Sequence, residues 1–180
     1  NLRDYWQPGL EGLQQYSFNY TFFDNPYFIL LENRNSFQRD RVFGNLSAAY
    51  DFGDKWELIL RTGMDYSDED RRFLRNFSSN RFRNGAYAEH NVFYRENNTD
   101  LLLNFHDQIS DFSIDISAGA NRLDQQAQTS QAQALSLAQP GIFKLTNAAS
   151  PIEVFDFSSR KRINSVYGIA KLGYKNFLFV

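Results

Sequence analysis

Between residues 45 and 66 the chain reads NLSAAYDFGDKWELILRTGMDY, with apolar and polar positions alternating on both sides of Phe52-Gly53-Asp54-Lys55. Successive side chains of a strand point to opposite faces, so Leu46, Ala48, Tyr50 and Phe52 share a face with Trp56, Leu58, Leu60, Thr62, Met64 and Tyr66. That face is almost wholly apolar. The positions between, from Asn45 to Asp51 and from Glu57 to Asp65, are polar or small nearly throughout. The pattern predicts a hairpin with one dry and one wet side. Two architectures accept it: a soluble antiparallel sheet covered by a second layer, or a membrane barrel showing its apolar face to lipid. Alternation alone does not separate them.

The same reading extends along the chain. Residues 1–26 lack sustained alternation and carry Pro8-Gly9 and Asn25-Pro26, which predicts an ordered but irregular loop. A strand-like run follows from Tyr27 to Phe52 with a break around Asn33 to Ser36. The charged, Ser/Asn-rich stretch 67–85 predicts a long connection, and strand character resumes from Ala86 to Phe105. There Thr99, Leu101, Leu103 and Phe105 oppose Asp100, Asn104 and His106. After a short turn at Asp107 to Asp111, the residues Phe112, Ile114, Ile116, Ala118 and Ala120 oppose Ser113, Asp115, Ser117, Gly119 and Asn121. Residues 122–160 predict a second long connection, whose Gln/Ala stretch suits a helical turn or two before Pro140-Gly141. From Ile163, Val166, Gly168, Ala170, Leu172 and Tyr174 oppose Ser165, Tyr167, Ile169, Lys171 and Gly173. A turn at Tyr174-Lys175-Asn176 precedes another strand from Phe177.

The expected fold class is all-β, about six antiparallel strands in an up-and-down order. Short connections, near 53, 109 and 175, alternate strictly with the long ones, so a meander gathers all short turns at one end, an asymmetry seen in outer-membrane barrels. Tyr50, Phe52, Trp56, Phe105, Phe112, Tyr174 and Phe177 gather near those turns and would suit an interfacial girdle. Aromatics also close the strands of soluble sheets.

Composition adds bounds. With 180 residues the chain suffices for one domain, and 18 Phe and 10 Tyr in a chain only 42% hydrophobic fit amphipathic strands. A net charge of -2 gives no electrostatic reason to expect nucleic acid. The absence of Cys excludes disulfides and thiolate chemistry. No apolar run reaches the length of a transmembrane helix, which leaves a barrel open. The chain starts without Met and stops within an apolar run, as a piece of a longer protein would.

Candidate chemistry is sparse, and the expectation is that the chain is not an enzyme and holds no metal or cofactor. His90 and His106 have no second ligand at helix or hairpin spacing, and no G-x-S-x-G elbow accompanies the serines. Asp68, Glu69 and Asp70 invite a calcium site but lack the loop that would curl around the ion. In RRFLRNFSSNRFR, arginines interleave with Phe73, Phe77 and Phe82, superficially like a single-strand nucleic-acid binder, but the three acids directly before it offset that field.

The stretches NPYFILLENRNSFQRDRVFGNLSAAYDF, RTGMDYSDE, ENNTDLLLNF and SSRKRINSVYGIAKLGYKNFLFV together resemble the SusC/RagA family of TonB-linked outer-membrane transporters of Bacteroidetes, in order and spacing from about Asn25 onward. The resemblance implies a mid-barrel section, residues 27–180, of a barrel of about 22 strands with a plug, and an extracellular-side loop over 1–26. It implies a bacterial outer-membrane location, a lipid bilayer around the barrel, a SusD-like surface lipoprotein as lid, TonB acting through the plug, and import of oligosaccharides or peptides. On that basis Trp56, Leu58, Leu60, Leu101, Leu103, Ile114 and Ile116 face lipid. Glu57, Arg61, Asp65, Asp100, Asn104, Asp115, Tyr167 and Lys171 face the lumen. Arg72, Phe73, Phe143 and Phe155 become lid-contact candidates, against the plainer reading of self-packed loops. A soluble β-rich carbohydrate-binding module is the alternative, and a passive porin a third.

Overall fold

The structure is a computed structural model that describes residues 1–175 and, as backbone, 178–179. A short helix α1 (Pro26–Glu32) precedes β1 (Asn35–Phe52), β2 (Trp56–Phe77), β3 (Asn84–Ile109), β4 (Phe112–Ala134), β5 (Glu153–Tyr174) and the two-residue β6 (Leu178–Phe179). The strands form one antiparallel sheet in the order β1-β2-β3-β4-β5-β6, so each lies beside its sequence neighbour. The all-β, up-and-down expectation holds. Asn176 and Phe177, part of the last expected turn and strand, lie outside the described residues.

The turns follow from residues that accept a left-handed backbone. Gly53, at φ +67°, opens the β1-β2 turn, while Ser110 and Lys175 take φ of +57° and +49° after β3 and β5.

Three sequence expectations are corrected. Tyr27 to Glu32 is helical: the Asn25 side chain accepts from the Tyr27 N–H at 2.9 Å and Pro26 occupies the first turn, a start signal that outweighs the strand-like apolar run. The connection expected at 67–85 shrinks to 78–83, because β2 runs on to Phe77. The one expected at 122–160 shrinks to 135–152, and the Gln/Ala stretch is strand to Ala134 rather than helical. Pairing on both sides with β3 and β5 overrides the helical preference of Gln and Ala.

The chain divides into two compact units. Unit 1 (1–40, 68–93 and 128–158) joins the loop-side halves of the strands to the N-terminal segment. Buried Gln15 ties that segment down, donating to Asp24 at 2.8 Å and to the Ser78 carbonyl at 2.7 Å, while Asp24 accepts from Ser79 and the Asn80 N–H. Phe28 is fully buried beneath the rings of Tyr5 and Trp6. Elsewhere in this unit Tyr87, Ala134 and Leu137 make a small core, onto which loop residues Phe143, Leu145 and Ala148 fold. Unit 2 (41–67, 94–127 and 159–180) contains the turn-side halves of the strands.

Gly85 is the most confined glycine of unit 1: it sits at φ +68°, and a Cβ there would stand 2.9 Å from the Arg75 carbonyl oxygen. Gly85→Ala is expected to cost about 1 to 3 kcal/mol through backbone strain and that contact. Gly141→Ala, at a similar φ but in open space, should cost visibly less. Denaturant unfolding midpoints of the two variants check the difference.

Candidate functional site: two sheet faces and a pocket

In unit 2 the polar face is a hydrogen-bonded surface. Asn104 donates to Glu57 at 2.9 Å and accepts from Ser117 at 2.8 Å, which links β2, β3 and β4 side chain to side chain. His106 meets Asp115, Asn121 donates to Asn98, and Arg41 grips Asp65 with a two-pronged fork at 2.9 and 2.7 Å. Tyr167 on β5 lies over Gly119 on β4 and reaches Asp100 on β3 at 2.8 Å. Only a residue without a side chain lets that ring lie flat against the strand. Glu57, Asp65, Asp100, Asn104, Asp115 and Tyr167 are thus brought onto one face, which alternation extends to Arg61 and Lys171.

The opposite face of unit 2 carries Trp56, Leu58, Leu60, Leu101, Leu103, Ile114 and Ile116. Trp56 packs on Phe105 at 4.6 Å and Phe112 on Tyr174 at 4.9 Å, beside the short turns. Among the described residues of this unit, every regular element is a strand of the one sheet, and no second layer covers the apolar face. Leu60, Met64, Leu101 and Ile116 are all exposed.

Unit 1 holds a pocket of about 540 Å³. Phe73 and Arg75 of β2, Ala88 and His90 of β3, and Gln131 and Gln133 of β4 line its floor, and Arg81, Phe82 and Asp24 its rim. The Phe73 and His90 rings pack at 4.6 Å with their planes tilted by 46°. Burial and the nearby Arg71 hold His90 below its ordinary pKa of 6.5, so it is neutral at pH 7. Glu69, only 5% exposed, lies between Arg71 and Arg39, whose hydrogen bonds keep its carboxyl below the usual range despite burial. Burial, with Glu89 as acceptor, pushes the Tyr87 hydroxyl up to about 12. The floor offers ring faces, guanidinium groups and side-chain amides, suited to a ligand with both apolar and polar groups.

The acids 68–70 do not converge. Glu69 turns to the arginines while Asp68 and Asp70 accept from Asn91 at 2.8 and 3.1 Å, because neighbours on a strand face opposite ways. Of the lid-contact candidates, Phe73 belongs to the pocket and Phe143 packs into the unit 1 core, while Phe155 is exposed on β5. The side chain of Arg72, on β2, makes no hydrogen bond or ion pair among the described residues. The pocket itself was not foreseen. Its walls come from stretches that carry no apolar alternation.

No family model and no curated protein matches the chain. A solved structure does: the RagAB peptide transporter, with a TM-score of 0.72 over 87% of this chain at 11% identity. The chain spans 18% of that protein's length. At this identity the likeness establishes the fold: a β-sheet similar to a section of a transporter barrel.

His90 generates a prediction. Its folded pKa is depressed, so between that value and 6.5 the unfolded chain binds more protons, and stability falls as pH drops through this window. His90→Gln should flatten the dependence of unfolding midpoint on pH there and leave the slope above pH 7 unchanged.

Proposed function

We propose that this chain is part of the barrel wall of a TonB-dependent outer-membrane transporter of SusC/RagA type. The carrying observation is the pairing of an uncovered apolar face with a hydrogen-bonded polar face in unit 2, in a fold similar to a transporter section. A soluble carbohydrate-binding module needs a second layer over such a face, because a continuous apolar surface in water favours association. Lipid supplies that cover without further protein. Trp56, Leu58, Leu60, Leu101, Leu103, Ile114 and Ile116 then contact hydrocarbon. Glu57, Arg61, Asp65, Asp100, Asn104, Asp115, Tyr167 and Lys171 line the lumen. β3 has 26 residues where a membrane-spanning strand needs about 9 to 11, so strand continues well past the bilayer on the long-loop side.

Cargo on this reading is an oligosaccharide or a peptide, drawn along the polar face with energy delivered through TonB and a plug. A SusD-like surface lipoprotein would close the outer mouth, where Arg72 and Phe155 remain the better contact candidates because Phe73 and Phe143 are engaged internally. No catalytic step is part of the proposal.

Two experiments on the protein that carries this chain test it. Leu60→Arg and Ile116→Arg should each cost about 2 to 4 kcal/mol in a membrane-folding assay, as expected near the bilayer midplane, whereas Arg61→Leu and Asp115→Ala should cost far less. Equal tolerance at all four positions would reject the face assignment. For orientation, a single Cys at Arg81 should react with an impermeant thiol reagent in intact cells and one at Asp54 should not. The chain has no Cys of its own to interfere.

A further inference from the structure

The apolar face of unit 2 ends in guanidinium groups. It stays apolar or small as far as Ala120 on β4 and Val166 on β5, and on β3 through Leu101. Beyond these, on the same face, stand Arg122, Asp124 and Gln126 of β4, Arg160 and Arg162 of β5, and Arg95 of β3. The strands hold these changes level: Arg95 donates to Gln126 at 3.1 Å, and Arg122 (2.6 Å) and Arg162 both donate to Asp124. One carboxylate faces four arginines. Arg122 and Arg162 each bind it through Nε alone, which leaves their terminal nitrogens free of Asp124. The Arg160 side chain has no hydrogen bond or ion pair of its own among the described residues. A shallow concavity of about 410 Å³ opens between Arg95, Asp124, Gln126, Arg160 and Arg162.

We propose that this cluster binds the phosphates of an anionic glycolipid headgroup in the outer leaflet. The inference rests on the barrel-wall reading above. If the apolar part of this face sits in hydrocarbon, the residues one step beyond lie at headgroup depth, since about 9 to 11 residues cross the bilayer. A group placed there meets lipid, not cargo, because the lumen is on the opposite face. Planar guanidinium forks match phosphate oxygens in pairs, and the surplus of positive charge calls for an anion of more than one charge. Asp124 sets two of the forks side by side and satisfies only one donor of each. An apolar band that passes directly into a concave, under-neutralised basic patch fits a ligand with acyl chains below and phosphates above.

The test uses the detergent-purified protein that carries this chain, with bisphosphorylated lipid A, the same lipid after dephosphorylation, and inorganic phosphate as probes. Bisphosphorylated lipid A in mixed micelles should raise the unfolding temperature, and the other two probes should not. Arg160→Gln, which breaks no side-chain hydrogen bond or ion pair among the described residues, should weaken the interaction about fivefold, and the triple Arg122→Gln, Arg160→Gln, Arg162→Gln variant about 100-fold, on the usual scale for basic groups at an anionic surface. Equal effects of phosphorylated and dephosphorylated lipid, or undiminished affinity in Arg160→Gln and the triple variant, would overturn the site. A response to inorganic phosphate that equals the lipid's would overturn the lipid assignment. A protein that stays folded in plain buffer without detergent would overturn the barrel reading and this site together, whereas a detergent-requiring barrel indifferent to lipid phosphates would overturn the site alone.

Discussion

Backbone ladders hold the strands of this sheet in an unslipped register, and the placement of every side chain discussed above depends on it. Across β2 and β3, Trp56 meets Phe105, Glu57 meets Asn104 and Thr62 meets Thr99 at the same offset. Across β4 and β5, Phe112 meets Tyr174, Gly119 lies under Tyr167 and Asp124 meets Arg162, again at one offset. A slip of one residue would carry every leucine of one strand to the polar side. Two features guard against it. The short turns allow little play, and the Tyr167 ring needs the bare backbone of Gly119, a fit that a shifted strand would lose.

In unit 2 the sequence was largely readable, for a physical reason. One face there is apolar and the other polar, so residues such as Leu58 and Glu57, or Ile116 and Asp115, announce the period of two by themselves. Gly53 marked one turn correctly. The loop-side strand halves were not readable. From Asp68 to Phe77 and from Arg122 to Ala134 both faces carry polar groups, so no apolar alternation exists to be read, and Arg, Asn, Gln and Ala are ordinarily found in connections or helices. Those stretches are strand because their neighbours offer complete ladders and because Arg39 and Arg71 satisfy Glu69 while Asn91 satisfies Asp68 and Asp70. That information lies in pairing between distant segments. The pocket built from Phe73, His90, Gln131 and Gln133 was hidden for the same reason.

Residues 1–32 illustrate a different limit. The irregular stretch was recognised as such, but part of what orders it is the buried amide of Gln15, whose bonds to Asp24 and to Ser78 tie it to a segment far along the chain. Nothing about one glutamine distinguishes it before folding. The helix after it was signalled, since Asn25-Pro26 is a cap followed by a residue suited to the first turn; the same dipeptide also marks turns, and the apolar run behind it favoured the wrong choice.

The same register that separates the faces also fixes where along a strand the chemistry changes. A strand rises about 3.3 Å per residue, so the count of apolar positions on one face is a length, and the residue that ends the count sits at a set depth. On β4 that residue is Arg122, and the next two on its face, Asp124 and Gln126, lie level with Arg162 of β5 and Arg95 of β3 only because the pairing with β5 and β3 is unslipped. Shifting any one strand by a pair of residues would keep the faces intact yet scatter the guanidinium groups along the apolar band. Burying a charge there costs far more than leaving it at a wet boundary. The arrangement of this face therefore constrains register in steps of two, where alternation alone constrains it only in steps of one.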